Sequence, residues 1–272
     1  MSRYTMGPCE FCGSSDAFAS YEDGVGTCFS CNKSKKLTEE RDEPITYTNT
    51  NVITNISDYN SYPISSRNIS KEVADHYGVK MSTNPDGKPG SHYYPYTKKN
   101  EIVAYKERIL PKDFRIHGDF NSVELFGQNV SMGNKMLIIT EGELDAMAVA
   151  QCFHDKYNKF FSCVSIPSAS ATKIILDQRS WIKKFETVIL AFDQDEAGEA
   201  CTAAVAKIIG VGKVKIASLP RKDPCAVLED LGSEALQKCM WDAQPWSPAG
   251  IVLGEQIWKQ FQERQKIESM PY

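Results

Sequence analysis

Two apolar runs in this chain each end in acids. Met136-Leu-Ile-Ile-Thr140 leads into Glu141-Gly142-Glu143-Leu144-Asp145, and the run over 187–192 leads into Asp193-Gln194-Asp195. Short continuous apolar runs without alternation suit strands buried on both faces of a parallel sheet. Ligands of open α/β sheets bind at the carboxyl ends of such strands. Carboxylates gathered there repel one another until a cation balances them, and a hard divalent ion such as Mg2+ takes oxygen ligands of this kind. Glu141 leaves its strand at the end, Gly142 lets the backbone turn, and Glu143 opens a helix. Asp193 and Asp195 lie two apart on an extended tip, so both point to one side. Lys222-Asp223 follows another apolar run, 214–219, and adds a candidate at the same sheet edge. The bland readings stand beside these. Acids favour helix N-termini through the macrodipole, which covers Glu143, Asp145 and Glu196, and an aspartate after a strand is a common turn former. The chemistry expected is metal-dependent phosphoryl transfer.

A second constellation lies near the N-terminus. Cys9-x2-Cys12 and Cys28-x2-Cys31 are separated by fifteen residues. The two-residue gap lets each pair hold one metal at tetrahedral angles, and four thiolates match Zn2+. So small a segment cannot fold on its own core, and a purely structural ribbon is one reading. Tyr21, Lys33, Lys35 and Lys36 suit contact with nucleic acid. The other five cysteines (Cys152, Cys163, Cys201, Cys225, Cys239) are scattered through apolar or helical contexts, as free thiols are in a reducing compartment.

The elements that must position these groups follow from pattern. Residues 1–36 form the small cysteine module, and 37–55 are polar, with little to bury, and read as a flexible tether. A random coil of that length spans about 24 Å. Over 56–130 the elements are mixed. Ser70 caps a short helix running to Tyr77 and closed by Gly78, and strands at 92–96 and 102–109 flank Lys98-Lys99-Asn100-Glu101 as a hairpin. On the second strand Ala104, Lys106 and Arg108 share a face by the two-residue period, with Lys112 and Arg115 following. From 131 the pattern is βαβαβαβ, with strands at 136–140, 161–166, 186–192 and 213–219 and helices near 143–154, 170–183 and 196–209. That alternation indicates a parallel sheet with crossover helices. Residues 226–245 read as helical with a Pro-rich stop, and 251–268 as a polar helix with Ile257, Trp258 and Phe261 on one edge.

The chain has 272 residues, 42% hydrophobic and 24% charged, with a formal net charge of −4. That is an ordinary globular composition. No stretch has the apolar length of a membrane span and the N-terminus lacks a signal-peptide core, so a cytoplasmic protein is expected. The acidic sum argues weakly against a nucleic-acid partner, but its layout does not. Lys98, Lys99, Lys106, Arg108, Lys112 and Arg115 outnumber Glu101, Glu107 and Asp113 directly before the acid-rich centre. Cations there suit a triphosphate or a template backbone. His76, His92, His117 and His154 have no metal-ligand spacing and read as surface or packing residues.

The order of a four-cysteine ribbon, tether, basic segment, Thr140-Glu-Gly-Glu-Leu-Asp145 and Phe192-Asp-Gln-Asp195 resembles the DnaG-type primases. Within them it resembles the primase half of the bifunctional primase–helicases of short-tailed phages. The resemblance covers essentially the whole chain, with further matches at Arg67-Asn-Ile-Ser-Lys-Glu72, Ile102-Val-Ala-Tyr-Lys-Glu-Arg108, Glu124-Leu-Phe-Gly127 and Pro220-Arg-Lys-Asp223. The Glu-Gly-Glu and Asp-x-Asp pair resembles the TOPRIM motif, which alone also admits topoisomerases and certain nucleases. A RecR-type repair scaffold joins TOPRIM to four cysteines as well, behind a helix-hairpin-helix; here eight residues precede Cys9. Three departures from the family stand out. Val25-Gly-Thr27 fills the place of a frequent histidine, Pro167-Ser-Ala-Ser-Ala171 replaces glycines, and Pro-Cys-Ala-Val follows Asp223.

The resemblance implies an α/β chain: a zinc ribbon (1–36), linker (37–55), basic α+β subdomain (56–130), TOPRIM-like parallel domain (131–245) and C-terminal linker helix (246–272). It implies short RNA primers made on single-stranded DNA from ribonucleoside triphosphates during phage DNA replication. Glu141, Asp193, Asp195 and Asp223 would hold one or two Mg2+, and Lys106 and Lys112 would assist catalysis. Arg108, Arg115 and Lys222 would contact nucleotide or template, and Cys9, Cys12, Cys28 and Cys31 would hold one Zn2+ that serves template reading. A replicative helicase, fused or in trans, and a DNA polymerase are the implied protein partners of this primosome component.

Overall fold

The computed structural model describes residues 4–21, 25–36, 50–84, 86–87, 89–110, 113–133, 135–167 and 171–248. Three sheets succeed one another along them. The first is an antiparallel meander of β1 (Tyr4–Gly7), β2 (Phe18–Tyr21), β3 (Val25–Cys28) and β4 (Ser34–Lys36). Its two Cys-x-x-Cys turns close alike: Gly13 N donates to Cys9 O at 2.9 Å and Asn32 N to Cys28 O at 2.8 Å. Gly13 and Asn32 both sit at positive φ (73° and 57°), a conformation glycine adopts freely and asparagine more readily than most. Among the described residues, buried apolar matter amounts to Phe18 and Ala19 with Cys9 and Cys28, too little to hold so small a module without a staple.

The described chain resumes in α1 (Thr50–Ser57), inside the stretch expected to be tether. Ile53 and Ile56, three apart, pack on Tyr93 and Tyr105, and tertiary burial overrides the weak helix propensity of Thr and Asn. Residues 37–49 lie outside the described residues. The expected short helix is α2 (Lys71–His76), with Ser70 Oγ accepting from Val73 N and Gly78 at φ 67° beyond its end.

The second sheet is β5 (Lys80–Thr83), β6 (Pro89–Lys98), β7 (Glu101–Ile109) and β8 (Asp113–Gly118), antiparallel in that order. The β6–β7 turn has Lys99 and Asn100 both left-handed (φ 54° and 66°), the turn type whose twist matches a hairpin. Glu124 clamps it, its carboxylate accepting from Thr97 Oγ1 (2.6 Å), Lys99 N (3.0 Å) and Asn100 N (3.4 Å). That gives the Glu124-Leu-Phe-Gly127 segment a structural task.

The third sheet has the expected parallel strands: β9 (Met136–Thr140), β10 (Ser162–Ser165), β11 (Thr187–Ala191) and β12 (Val214–Ile216), in the order β10-β9-β11-β12. Alternate residues serve the two faces. Ile138, Ile189 and Ala191 meet α3 (Glu143–Tyr157) and α7 (Pro224–Trp241), while Leu137, Ile139, Val188 and Leu190 meet α4 (Ala171–Asp177) and α6 (Glu196–Ile209). Each such aliphatic side chain contributes roughly 1.5–3 kcal/mol by burial. Helix α3 is buried from Glu143 to Phe153, because the sheet, α7 and the second sheet's tyrosines cover it on different sides.

Three expectations are corrected. The helix over 170–183 breaks at Gln178 into α4 and α5 (Arg179–Ile182), with the Gln178 side chain bonded to Gln128 at 2.8 Å. The last parallel strand is three residues, shorter than 213–219. The segment after it turns toward the β11 end, with Leu219 N bonded to the Gln194 side chain. Residues 226–245 are not helical throughout: α7 kinks at Gly232 and ends at Trp241, and β13 (Gln244–Pro245) pairs antiparallel with β12. That short strand covers what would be an open sheet edge.

Candidate active site and metal centres

The acids gather at the carboxyl end of the third sheet. Glu141 follows β9, and Asp193 and Asp195 follow β11, its parallel neighbour. Asp195 also caps α6, its Oδ1 accepting from Gly198 N at 3.0 Å. Gly198 is there for closeness: a Cβ at that position would stand 2.1 Å from the Asp193 carbonyl oxygen. Gly142 serves likewise, since a Cβ there would lie 2.7 Å from the Asp145 carboxylate. Gln194, between the two aspartates, is a staple. Its N–H donates to Lys222 O at 2.7 Å and its Oε1 accepts from Leu219 N at 3.4 Å, drawing the segment after β12 to the site.

That segment brings Lys222, 3.3 Å from Asp193 Oδ2 and 3.7 Å from Asp195 Oδ2. It also brings Asp223, which caps α7 through Ala226 N at 2.7 Å. Asp145 is buried beneath, accepting from Cys225 N at 3.1 Å. Burial first, then the Asp223 charge, pushes its carboxyl up to about 8. Burial and the neighbouring acids also raise Glu141; in Asp193 burial raises the carboxyl while Lys222 opposes.

These residues fit a divalent cation. Glu141 Oε2 is buried and has no hydrogen-bond partner among the described residues, and an unpaired buried carboxylate oxygen beside two aspartates needs positive charge. The ribbon fits zinc: the sulfurs of Cys9, Cys12, Cys28 and Cys31 all lie within 4.8 Å of one another. Burial raises Cys28 to about 12, while backbone donation by the Ser14 amide lowers Cys12 to about 7. A bound cation resolves that contrast by holding all four as thiolates.

The second sheet faces the acids with Lys106. Its ammonium donates to Glu143 Oε1 (2.8 Å) and to Pro167 O (3.4 Å), and lies 5.2 Å from the Phe114 ring centre. Tyr96, fully buried, donates to the same Glu143 oxygen at 2.5 Å. Glu143 therefore holds a lysine; it is more than a helix-opening acid. Arg108 shares that face and lines a cavity of about 460 Å³ with Arg67, His92 and Glu229, where Arg67 pairs with Glu229 at 2.7 Å. Burial, then Arg108, lowers His92 to about 4.

Arg115 does not join them. It pairs across the ladder with Glu107, while Phe114 and Ile116 pair with Arg108 and Lys106, so it points to the opposite face of the sheet. Lys112 lies outside the described residues. Spacing alone did not reveal Tyr96, Gln194 or Gly198 as parts of the site. A glycine in the first turn of an otherwise good helix, as at Gly198, was the available signal.

Residues 138–228 match a family described as Toprim-like. The DNA helicase/primase of Enterobacteria phage T3 is 32% identical over 267 residues, covering 90% of this chain and 44% of the relative. This chain thus spans less than half of that protein's length. The crystal structure of the primase fragment of the bacteriophage T7 primase-helicase protein superposes with a TM-score of 0.60 at 28% identity, over 89% of this chain and 100% of that one. A chain from the structure of the T7 lagging-strand DNA polymerase interacting with primase domains bound to an RNA/DNA hybrid and dTTP is 31% identical. It superposes at a TM-score of 0.59 over 69% of this chain and 93% of its own. With its four-thiol ribbon, its Toprim-like sheet and this kinship, the chain belongs to the DnaG-type DNA primases and, among them, resembles those of the phage primase–helicases.

Proposed function

We propose that this chain makes short RNA primers on single-stranded DNA, joining ribonucleoside triphosphates by nucleotidyl transfer. One observation carries the reading: Lys106 is bonded to buried Glu143, itself held by Tyr96, and Glu143 stands two residues beyond Glu141 at the sheet end that also bears Asp193 and Asp195. Polyphosphate chemistry needs both halves, acids for a metal and fixed cations for the transferred phosphoryl oxygens.

Glu141, Asp193 and Asp195, with Asp223 beside them, would hold Mg2+. Such an ion would supply Lewis acidity to the attacking 3′-hydroxyl and positive charge for the α-phosphate and leaving pyrophosphate. The chain's own groups do the rest. Lys106 orients phosphate oxygens, and its tether to Glu143 keeps it from wandering. Arg108 and Arg67 offer cations to the backbone of a template or primer along the adjoining cavity. The ribbon, holding Zn2+ on its four thiolates, presents Tyr4, Phe11 and Lys33 on its surface for template bases; Lys33 lies 5.3 Å from the Phe11 ring centre. Lys112 is proposed as a second catalytic cation on sequence grounds.

The division into ribbon, linker, basic subdomain, Toprim-like domain and C-terminal linker belongs to the same reading, with the basic subdomain opening at α1. So do a helicase and a DNA polymerase as partners and a place in the host cytoplasm. Among the described residues no helix is long and apolar enough to cross a membrane. The test is templated oligoribonucleotide synthesis over all short sequence contexts, with Asp193→Asn and Glu141→Gln. Both variants should lose primer synthesis by about a hundredfold or more, at or beyond the top of the roughly 10- to 100-fold that loss of a mere outer-shell partner of a metal ligand costs; wild-type synthesis by either would refute the assignment.

A further inference from the structure

Lys222 differs from the other cations of the site. Its backbone is fixed on both sides, by Gln194 N on its own carbonyl at 2.7 Å and by the Asp223 cap of α7. Its side chain is 63% exposed, yet the ammonium lies 3.3 Å from Asp193 Oδ2 and 3.7 Å from Asp195 Oδ2. Asp195 has little else to offer, because its Oδ1 is taken by Gly198 N at 3.0 Å. A divalent cation bridging Asp193 and Asp195 through their Oδ2 atoms would meet the same oxygens that the ammonium meets. Two cations at that separation repel strongly, and both cannot stay. Exposure makes the lysine the partner that yields, since it loses little on returning to water.

We propose that Lys222 is a tethered competitor for the divalent cation, holding Asp193 and Asp195 together and leaving them as the metal enters. The free-metal concentration at which the site loads is then set partly by this side chain. The proposal rests on Asp193 and Asp195 being metal ligands, and the experiment separates the two claims.

The measurement is Mn2+ binding to the zinc-loaded full chain, followed by the loss of the free-ion electron paramagnetic resonance signal. Lys222→Met should tighten the Mn2+ Kd about threefold to tenfold, the scale of two exposed ion pairs released together. Lys222→Arg should stay near wild type. Arg221→Met is the control: its guanidinium pairs with Asp230 at 2.7 Å and touches neither aspartate, so its Kd should not move. An unchanged or weaker Kd in Lys222→Met overturns the proposal, as does an equal tightening in Arg221→Met, which would indicate only the diffuse field. Asp193→Asn tests the underlying reading. If it leaves Mn2+ binding intact, the metal site itself is misassigned; if it weakens binding while Lys222→Met is inert, the competitor alone fails.

Discussion

Glu143→Gln tests whether the second glutamate of Glu-Gly-Glu acts on the lysine and not on the metal. The Lys106 and Glu143 side chains are 19% and 8% exposed, with ammonium and carboxylate 2.8 Å apart. At an effective dielectric of about 20 the gross attraction at this distance is roughly 6 kcal/mol, much of it offset by the desolvation of both ions. Neutralising Glu143 leaves the half-buried ammonium without an opposite charge, with the glutamine oxygen, Pro167 O and the Phe114 face to meet it among the described residues. A loss of about 2–3 kcal/mol in unfolding free energy is expected, less than truncation because glutamine still accepts a hydrogen bond. Lys106→Met should cost a similar amount. The double variant should cost less than the sum by about 2 kcal/mol, since neither charge is then left unpaired. Urea unfolding of the four proteins in the cycle measures this. Primer synthesis by Glu143→Gln should fall about 10- to 100-fold, the equivalent of 1.4–2.8 kcal/mol of lost positioning. Additivity within about 0.5 kcal/mol in the stability cycle would refute the reasoning.

Three further outcomes are expected. Zinc should bind at one ion per chain, and its removal should unfold the ribbon while the Toprim-like domain keeps its protected amides, because among the described residues Phe18, Ala19, Cys9 and Cys28 are the ribbon's buried apolar side chains; hydrogen exchange reads both regions. Gly198→Ala should abolish primer synthesis and lower stability by several kcal/mol, since its Cβ would fall 2.1 Å from the Asp193 carbonyl oxygen; a near-wild-type melting curve would contradict that packing. In buffers without divalent cations, stability should fall as pH rises from about 4 to about 8. Asp145 goes from an ordinary 3.8 to about 8 on folding, so in that window the folded state binds more protons than the unfolded one. The slope from one such group is at most about 1.4 kcal/mol per pH unit. Asp145→Asn should flatten it in urea midpoints taken across the range.

The strands and helices of the third sheet were legible because their signals are local. Apolar runs of five residues, acids at their ends and glycines at the turns fix β9, β11, α3 and α6 without reference to distant chain. The four-cysteine turns were legible for the same reason. What escaped depends on partners far along the chain. Arg115 was read with Lys106 and Arg108 because the turn between β7 and β8 leaves the strand register open from sequence. The ladder pairing Glu107 with Arg115 decides its face. Helix α1 forms where propensity is poor, because Tyr93 and Tyr105 lie under Ile53 and Ile56. The two residues of β13 form a strand only because β12 has an edge to cover. Lys106 and Glu143 meet across 37 positions, and no spacing rule reaches that far.

That last pair explains why the acids and the cations come from different sheets. A parallel sheet end concentrates carboxylates by construction, and a lysine on the same loops, like Lys222, falls onto them. To aim an ammonium at phosphate oxygens instead, its charge must be balanced elsewhere and its position fixed. Glu143 does this from the first turn of α3, with its carboxylate bound by Tyr96 from one strand and Lys106 from the next. The tyrosine matters because it is fully buried against Phe120 and Phe126, which couples the carboxylate's orientation to the core between the two sheets. Tyr96→Phe removes one hydrogen bond and no volume, so it should cost about 1 kcal/mol of stability and should raise the KM for nucleotide more than it lowers kcat. The lysine is still charged and near its place, only less fixed. A variant that instead loses kcat at unchanged KM would mean that the hydroxyl serves the chemistry directly and that Glu143 is more than an anchor for Lys106.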